Sequence, residues 1–264
     1  MFEGGVLDPK GPVGGGERLI LLDATVIMLA VIVPVILLTL AFAWWYRAGN
    51  PKARRLPGFD YSGRIELVTW SVPALIVLFL SGIAWIGAHQ LDPRQRLGGA
   101  PASVLDVQVV SLDWKWLFIY PHQGVASVNE LVLPVGTPVR FHLTSGSVMN
   151  SFFVPQLGSQ VYTMAGMVTE LNLRADAAGT YPGLSAQFSG EGFSDMRFTV
   201  RAVPAAQFDG WAKGDVGQTL DRALFAQLAR PGSSAAIRFS RVEPDLFQAI
   251  VAAHGSEPLV REGR

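Results

Sequence analysis

The sequence predicts a membrane-anchored all-β protein: an N-terminal two-helix transmembrane hairpin, then a Greek-key β-sandwich, then a short helical C-terminal arm. Three observations carry this expectation. Two long uncharged apolar runs lie in tandem before residue 92, and roughly 20 such residues cross a bilayer core as a helix. Between residues 104 and 203, short apolar runs alternate in strand fashion, with turn residues between them. After Pro204 the alternation gives way to apolar positions at helical spacing.

Half of the 264 residues are hydrophobic, only 16% are charged, and the formal net charge is zero. That charge content is low for a soluble protein, and the balance points away from nucleic acid. The sequence has no Cys, which excludes disulfides, thiolate metal sites, a Cys nucleophile and a lipid-modified N-terminal Cys together. Residues 1–18 read as a short external lead rather than a signal peptide, because Gly4, Gly5 and Gly14 to Gly16 interrupt a polar stretch.

The hairpin spans residues 19–91, with helices expected at about 19–46 and 65–91. Residues 26–38 of the first are apolar all round, and Pro34 is tolerable there because neighbouring helices can satisfy the freed carbonyl. Trp44, Trp45 and Tyr46 close it as an aromatic belt, and Trp70 and Trp85 lie near the ends of the second helix. The connecting residues 47–64 hold Arg47, Lys52, Arg54, Arg55 and Arg64 against Asp60 alone. By the positive-inside rule that loop is cytoplasmic. The N-terminus, β-domain and C-terminus are then expected in the periplasm of a bacterium, and the protein in its inner membrane. Glu66 lies at the cytoplasmic mouth of the second helix. By its residues alone it reads either as an interfacial carboxylate paired with Arg64 or as a membrane-edge proton collector.

Residues 92–103 form a turn-rich linker. In the sandwich, residues 139–144 are apolar at every second position, and residues 168–173 are so in part. Residues 113–120 carry the aromatic run with Trp114 and Trp116. In the arm, 204–264, Thr219 is expected to cap a helix over 220–229 with Leu224, Phe225 and Leu228 on one face. A second helix is expected from Pro244 to just before Gly255, striped by Phe247, Ile250 and Val251. His89, His122, His142 and His254 are scattered without ligand spacing and read as structural or solvent-facing. No catalytic residue is expected in this chain.

Tyr181-Pro-Gly-Leu-Ser-Ala-Gln-Phe-Ser-Gly-Glu-Gly-Phe-Ser-Asp-Met196, taken with Ser147-Val-Met-Asn-Ser-Phe-Phe-Val-Pro155, resembles a known metal loop. The likeness is to the dinuclear-copper site of subunit II of the haem–copper respiratory oxidases. That family reads Cys-x-Glu-x-Cys-Gly-x-x-His-x-x-Met, after an upstream His before Ser-Phe. Laid over this chain, the first His falls on Asn150 and the bridging Cys on Ser185 and Ser189. The carbonyl-donating Glu falls on Gln187, the second His on Phe193 and the Met on Met196, while Gly190 stays in place. Alone, Gly190 and Gly192 would suggest an ordinary β-hairpin turn. With the upstream segment and the two spans, roughly residues 6–254 resemble the copper-less, cupredoxin-like subunit II of the cytochrome bo-type ubiquinol oxidases.

The resemblance implies a complex that oxidises ubiquinol, reduces oxygen to water and pumps protons. It places the haems and copper in subunit I, adds small membrane subunits III and IV, and leaves this chain as a structural clasp with no metal or cofactor. It implies that Glu66, seven residues before Pro73, stands at the mouth of a proton-uptake path leading into subunit I. Trp114 and Trp116 match the family's aromatic strand, whose first Trp receives electrons in copper-bearing members. Without copper these rings are expected to pack the sandwich against subunit I and the membrane surface. The arm resembles the aromatic-rich arm of quinol-oxidase subunit II, which would clasp the complex; packing on the sandwich's own surface is the alternative. A reading from another class is a membrane-anchored degenerate cupredoxin acting as an assembly or interaction module outside an oxidase. A cytochrome c oxidase subunit fails on the absent Cys pair.

A reporter active only in the periplasm is expected to work when fused after Arg264 and to fail when inserted near Gly58. The opposite pattern rejects the hairpin.

Overall fold

A computed structural model describes residues 5–54, 56–98, 104–214 and 217–255. Expectations for residues 1–4, Arg55, the linker's residues 99–103, the arm's residues 256–264 and the side chain of His254 lie outside the described residues.

Helix α1 runs over Pro12–Trp45 and α2 over Gly63–Gln90. The first thus starts seven residues before the expected position, because Pro12 suits the opening of a helix with its fixed φ. Gly14 to Gly16, read as breakers, lie within it. Close approach explains their neighbourhood. A Cβ on Gly11 would fall 2.1 Å from the Arg174 carbonyl oxygen, and one on Gly14 would fall 3.2 Å from that of Gln156. Lys10 N and Gly14 N donate to the carbonyls of Gln156 (2.7 Å) and Leu157 (3.0 Å), and Asp176 N donates to Lys10 O (2.8 Å). The first 17 residues therefore belong to the same compact unit as the β-domain, and Arg18–Gln90 form a second unit. Both helices are long and apolar enough to span a bilayer. Thr25, Thr39 and Thr69 turn their hydroxyls back onto the carbonyls of Leu21, Val35 and Ile65, which removes polar groups from the apolar surface.

Strands β1 (Leu105–Leu112), β2 (Lys115–Tyr120), β3 (Val125–Val128), β4 (Glu130–Pro134), β5 (Val139–Ser145) and β6 (Asn150–Val154) open the domain. Then come β7 (Gly158–Thr163), β8 (Thr169–Leu173), β9 (Gly179–Ser185), β10 (Arg197–Val203), α3 (Ala205–Lys213) and β11 (Gln218–Leu220). Helix α4 (Arg222–Leu228), β12 (Ile237–Val242) and α5 (Leu246–Gly255) follow as the last of the described elements. One sheet has the order β11-β12-β3-β2-β1-β5-β8 and the other β4-β10-β9-β6-β7. Parallel pairing of β1 with β5 and of β10 with β4 makes the chain cross between the sheets, as the expected sandwich requires.

Phe152 sits at the centre of the inner core, stacked on Phe198 at 5.1 Å and edge-on to Trp116 at 5.5 Å. Trp116 is fully buried there. The expectation that it packs against a neighbouring subunit is therefore corrected: a strand residue pointing between two sheets has no access to the outside. The unbroken apolar run of β2 has a further meaning. All six of its residues are buried, which requires cover on both faces. The outer cover is the arm, whose Leu220, Phe239, Leu246, Phe247 and Ile250 lie on Val110, Leu112, Leu117 and Ile119.

The arm differs from a purely helical one. Gln218–Leu220 and Ile237–Val242 are strands that extend the first sheet, and Thr219 lies in the former rather than capping a helix. Asp221 is the cap, accepting from Leu224 N at 2.7 Å, because a carboxylate satisfies the first-turn N–H groups well. The last helix starts at Leu246, after Asp245 takes a left-handed φ of 61°. Helix α3, not foreseen, puts Phe208 and Trp211 against Tyr120. Arg238 closes it, donating to the carbonyls of Trp211 and Gly214 with its guanidinium over the Trp211 ring.

Lys115 joins arm to sheet. It is 4% exposed, and burial lowers its pKa. Its Nζ donates to the carbonyls of Leu228 (2.9 Å) and Arg230 (2.7 Å), where the end of α4 would leave acceptors without partners. Lys115→Met is expected to weaken arm docking by about 1–3 kcal/mol, read as faster amide exchange across residues 218–250. Unchanged protection there rejects the staple.

Candidate functional site

Four turns meet at one end of the sandwich: the β1–β2 turn with Trp114, and the loops 145–150, 163–168 and 185–196. Register brings them together, since Asn150 opposes Thr163 across β6 and β7, and Phe152 opposes Ser185 across β6 and β9. This is the end where the sequence placed the emptied copper loop.

Asn150 and Ser185 are 1% and 3% exposed, and Ser185 Oγ lies 3.1 Å from Asn150 Oδ1. The same hydroxyl is 3.2 Å from the Gln187 carbonyl oxygen, so its single proton serves one acceptor or the other. Asn150 Nδ2 donates to Val148 O at 3.2 Å. Across the loop, Ser189 Oγ faces Met196 Sδ at 3.9 Å, with Met196 buried. The chain thus gathers Asn150, Ser185 and the Gln187 carbonyl, and separately pairs Ser189 with Met196. Phe193 joins the second pair through its backbone, its carbonyl accepting from Met196 N at 3.1 Å. It lies in a short 3₁₀ turn, Phe193–Asp195, and its ring meets Phe188 edge-on at 5.6 Å.

Trp114 holds the loop's shape. It adopts a left-handed φ of 67°, uncommon for a bulky residue. Its Nε1 donates to Ser189 O at 3.3 Å. A Cβ on Gly192 would fall 2.2 Å from Trp114 Cδ2, and Gly190 takes φ 107°. Only glycine lets the loop lie this close to the ring. Trp114 is therefore a packing residue of this loop.

The donor set consists of two hydroxyls, amide and peptide carbonyls and one thioether, all neutral. A dinuclear copper centre needs thiolate bridges and imidazoles, which bind copper far better than neutral oxygen. These residues do not fit it. Among the described residues no group of three or more His, Asp or Glu side chains is placed to hold a metal ion.

Glu66 lies in the first turn of α2 and is exposed. Its backbone N donates to Ser62 O at 3.0 Å, and no ion pair joins its carboxylate to Arg64 among the described residues. Residues two apart on a helix point to different sides, so the expected pairing does not form. His89 Nδ1 lies 2.8 Å from Trp85 O. His122 and His142, read as scattered, both approach Asp106, at 3.3 and 3.5 Å. Arg140 Nε is 3.0 Å from Asp106 Oδ1 as an ion pair, without a hydrogen bond to that oxygen. The parallel β1–β5 register that puts Asp106 opposite Arg140 leaves no local mark in the sequence.

A family profile described as "Cytochrome C oxidase subunit II, periplasmic domain" matches residues 107–203, and one described as "COX Aromatic Rich Motif" matches residues 216–253. The chain is 49% identical over 254 residues to "Ubiquinol oxidase subunit 2" of Acetobacter aceti, covering 95% of this chain and 83% of that protein. It is 48% identical over 252 residues to "Cytochrome bo(3) ubiquinol oxidase subunit 2" of Pseudomonas aeruginosa, covering 94% and 76%. With "Quinol oxidase subunit 2" of Bacillus cereus it shares 35% identity over 239 residues, covering 89% and 81%.

As it stands the chain is expected to bind no copper stoichiometrically. Asn150→His, Ser185→Cys, Gln187→Glu, Ser189→Cys and Phe193→His together, with Met196 kept, are expected to give a purple mixed-valence copper pair. Uptake should weaken at low pH, where the new thiols hold their protons. Tight copper binding by the unaltered chain rejects the reading. A folded but colourless five-fold variant shows that the loop no longer holds the ligand geometry.

Proposed function

The chain belongs to the ubiquinol oxidase subunit 2 family, and from that membership we propose that it is the non-redox subunit of a proton-pumping ubiquinol oxidase. In this reading ubiquinol is oxidised and oxygen reduced in subunit I, which carries the haems and copper. This chain clamps the assembly, alongside small membrane subunits III and IV. The observation that carries the reading is the buried Asn150–Ser185 contact. Neutral groups hydrogen-bonded to each other fill the place of the first ligands, and Trp114 keeps the loop's form.

The proposed setting is the bacterial inner membrane, crossed twice, with both termini and the sandwich in the periplasm. Two features support it. The bonds from Lys10 and Gly14 to Gln156 and Leu157 join the lead to the β-domain, which supports an even number of spans between them. The basic residues of the loop between the spans favour the cytoplasmic side.

Glu66 is proposed as a proton collector for the path into subunit I. Its support is an exposed carboxylate in the first turn of α2, where the positive end of the helix dipole favours the charge. Purification through a tag on this chain is expected to yield a haem-containing complex with ubiquinol oxidase activity; recovery of the chain alone rejects the oxidase reading. In that complex Glu66→Ala is expected to slow oxygen reduction several-fold with assembly and haem content unchanged, and Glu66→Asp to recover part of the rate. Normal turnover of the Ala variant at every pH reduces Glu66 to an interfacial charge.

A further inference from the structure

The aromatic end of α1 passes directly into charge. Phe42, Trp44, Trp45 and Tyr46 are all exposed, Trp44 by 64%, and with Ala41 they line an open apolar groove of about 340 Å³. The next residue is Arg47, whose guanidinium carbon lies 5.1 Å from the centre of the Trp44 ring. A fixed turn follows. Asn50 Nδ2 donates to Trp45 O at 2.6 Å, and Asn50 Oδ1 accepts from Lys52 N at 3.1 Å. Asn50 N also donates to Arg47 O at 3.1 Å. The Asn50 amide thus satisfies a carbonyl at the negative end of the helix dipole. Arg47, Lys52, Arg54 and Arg64 are exposed. Among the described residues none of the four forms an ion pair, so their charge is unspent.

We propose that the groove and Arg47 form a binding site for an anionic phospholipid, its acyl chain in the groove and its phosphodiester on the guanidinium. The inference needs only that the two helices cross a bilayer, and it stands apart from the oxidase reading. Chemistry selects the occupant. Another transmembrane helix packs where small residues let backbones approach, and Phe42, Trp44, Trp45 and Tyr46 hold a backbone off. A zwitterionic headgroup has no net charge to set against Arg47, Lys52, Arg54, Arg55 and Arg64, which residues 47–64 balance with Asp60 alone. An anionic headgroup has that charge. Arginine also presents a planar fork that takes two phosphate oxygens at once. Contact with the Trp44 face uses the π surface of the guanidinium and leaves its N–H groups for the phosphate.

Native mass spectrometry of the detergent-solubilised full chain tests the site, with phosphatidylglycerol and phosphatidylcholine of the same acyl chains supplied in equal amounts. Phosphatidylglycerol adducts are expected to exceed phosphatidylcholine adducts several-fold; equal retention overturns the proposal. Arg47→Gln is expected to abolish the preference. Two milder variants separate a built site from general attraction. Arg47→Lys keeps the charge without the fork, and Trp44→Leu keeps an apolar side chain without the ring; each is expected to lose most of the preference. Undiminished preference in both, with helix content unchanged by circular dichroism, assigns the binding to diffuse charge and overturns the site. Arg94→Gln combined with Arg96→Gln, beyond the other end of α2, serves as the control and is expected to retain the preference. Its loss there places the lipid at the opposite membrane face and overturns the proposal. Displacement of phosphatidylglycerol by excess inorganic phosphate shows a site for the free anion, and overturns it too.

Discussion

The structure depends on one strand that is buried on both sides. All six residues of β2 are covered, the inner row by Phe152 and Phe198 and the outer row by the arm. A sheet with two apolar faces cannot stop at a two-layer sandwich, because burying a side chain of Leu or Ile size is worth about 1.5–3 kcal/mol. The third layer is thus a demand of the sandwich rather than an addition to it. It also explains why the arm's apolar stripes are spent within the chain.

At the opposite end of the scale stands the loop over residues 185–196. A metal centre fixes a loop through a few strong bonds. Here the same loop is fixed by many weak ones: a hydroxyl shared between Asn150 and Gln187, an indole N–H on Ser189, and two glycines pressed on a ring. Each net hydrogen bond contributes about 0.5–1.5 kcal/mol, so none is decisive. Their sum holds the loop's shape.

Much of this was legible in the sequence. Local features read well: the spans, the turn glycines and the alternating β5. What failed to show was non-local. The pairing of β12 with β3, across more than a hundred residues, turned an expected helical arm into part of a sheet. Trp116 read as an outward ring because aromatic runs look alike whether one face or two are covered. Asp106, Arg140 and His142 converge through the parallel β1–β5 pairing, and His122 joins them from the end of the antiparallel β1–β2 pair. The position of Phe193 depends on a 3₁₀ turn that spacing alone does not encode.

The arm has a consequence for biosynthesis. The residues that cover the outer face of β1 to β3 lie between Leu220 and Ile250, so they are the last part of the domain to leave the ribosome. Until they arrive, Val110, Leu112, Leu117 and Ile119 form a row of apolar side chains on a sheet lacking β11 and β12, with β3 as its open edge. Open edges beside apolar faces are where nascent chains pair with the wrong partner. Completion of the domain is therefore timed by its final helix, and a chain that stops early leaves that apolar face bare.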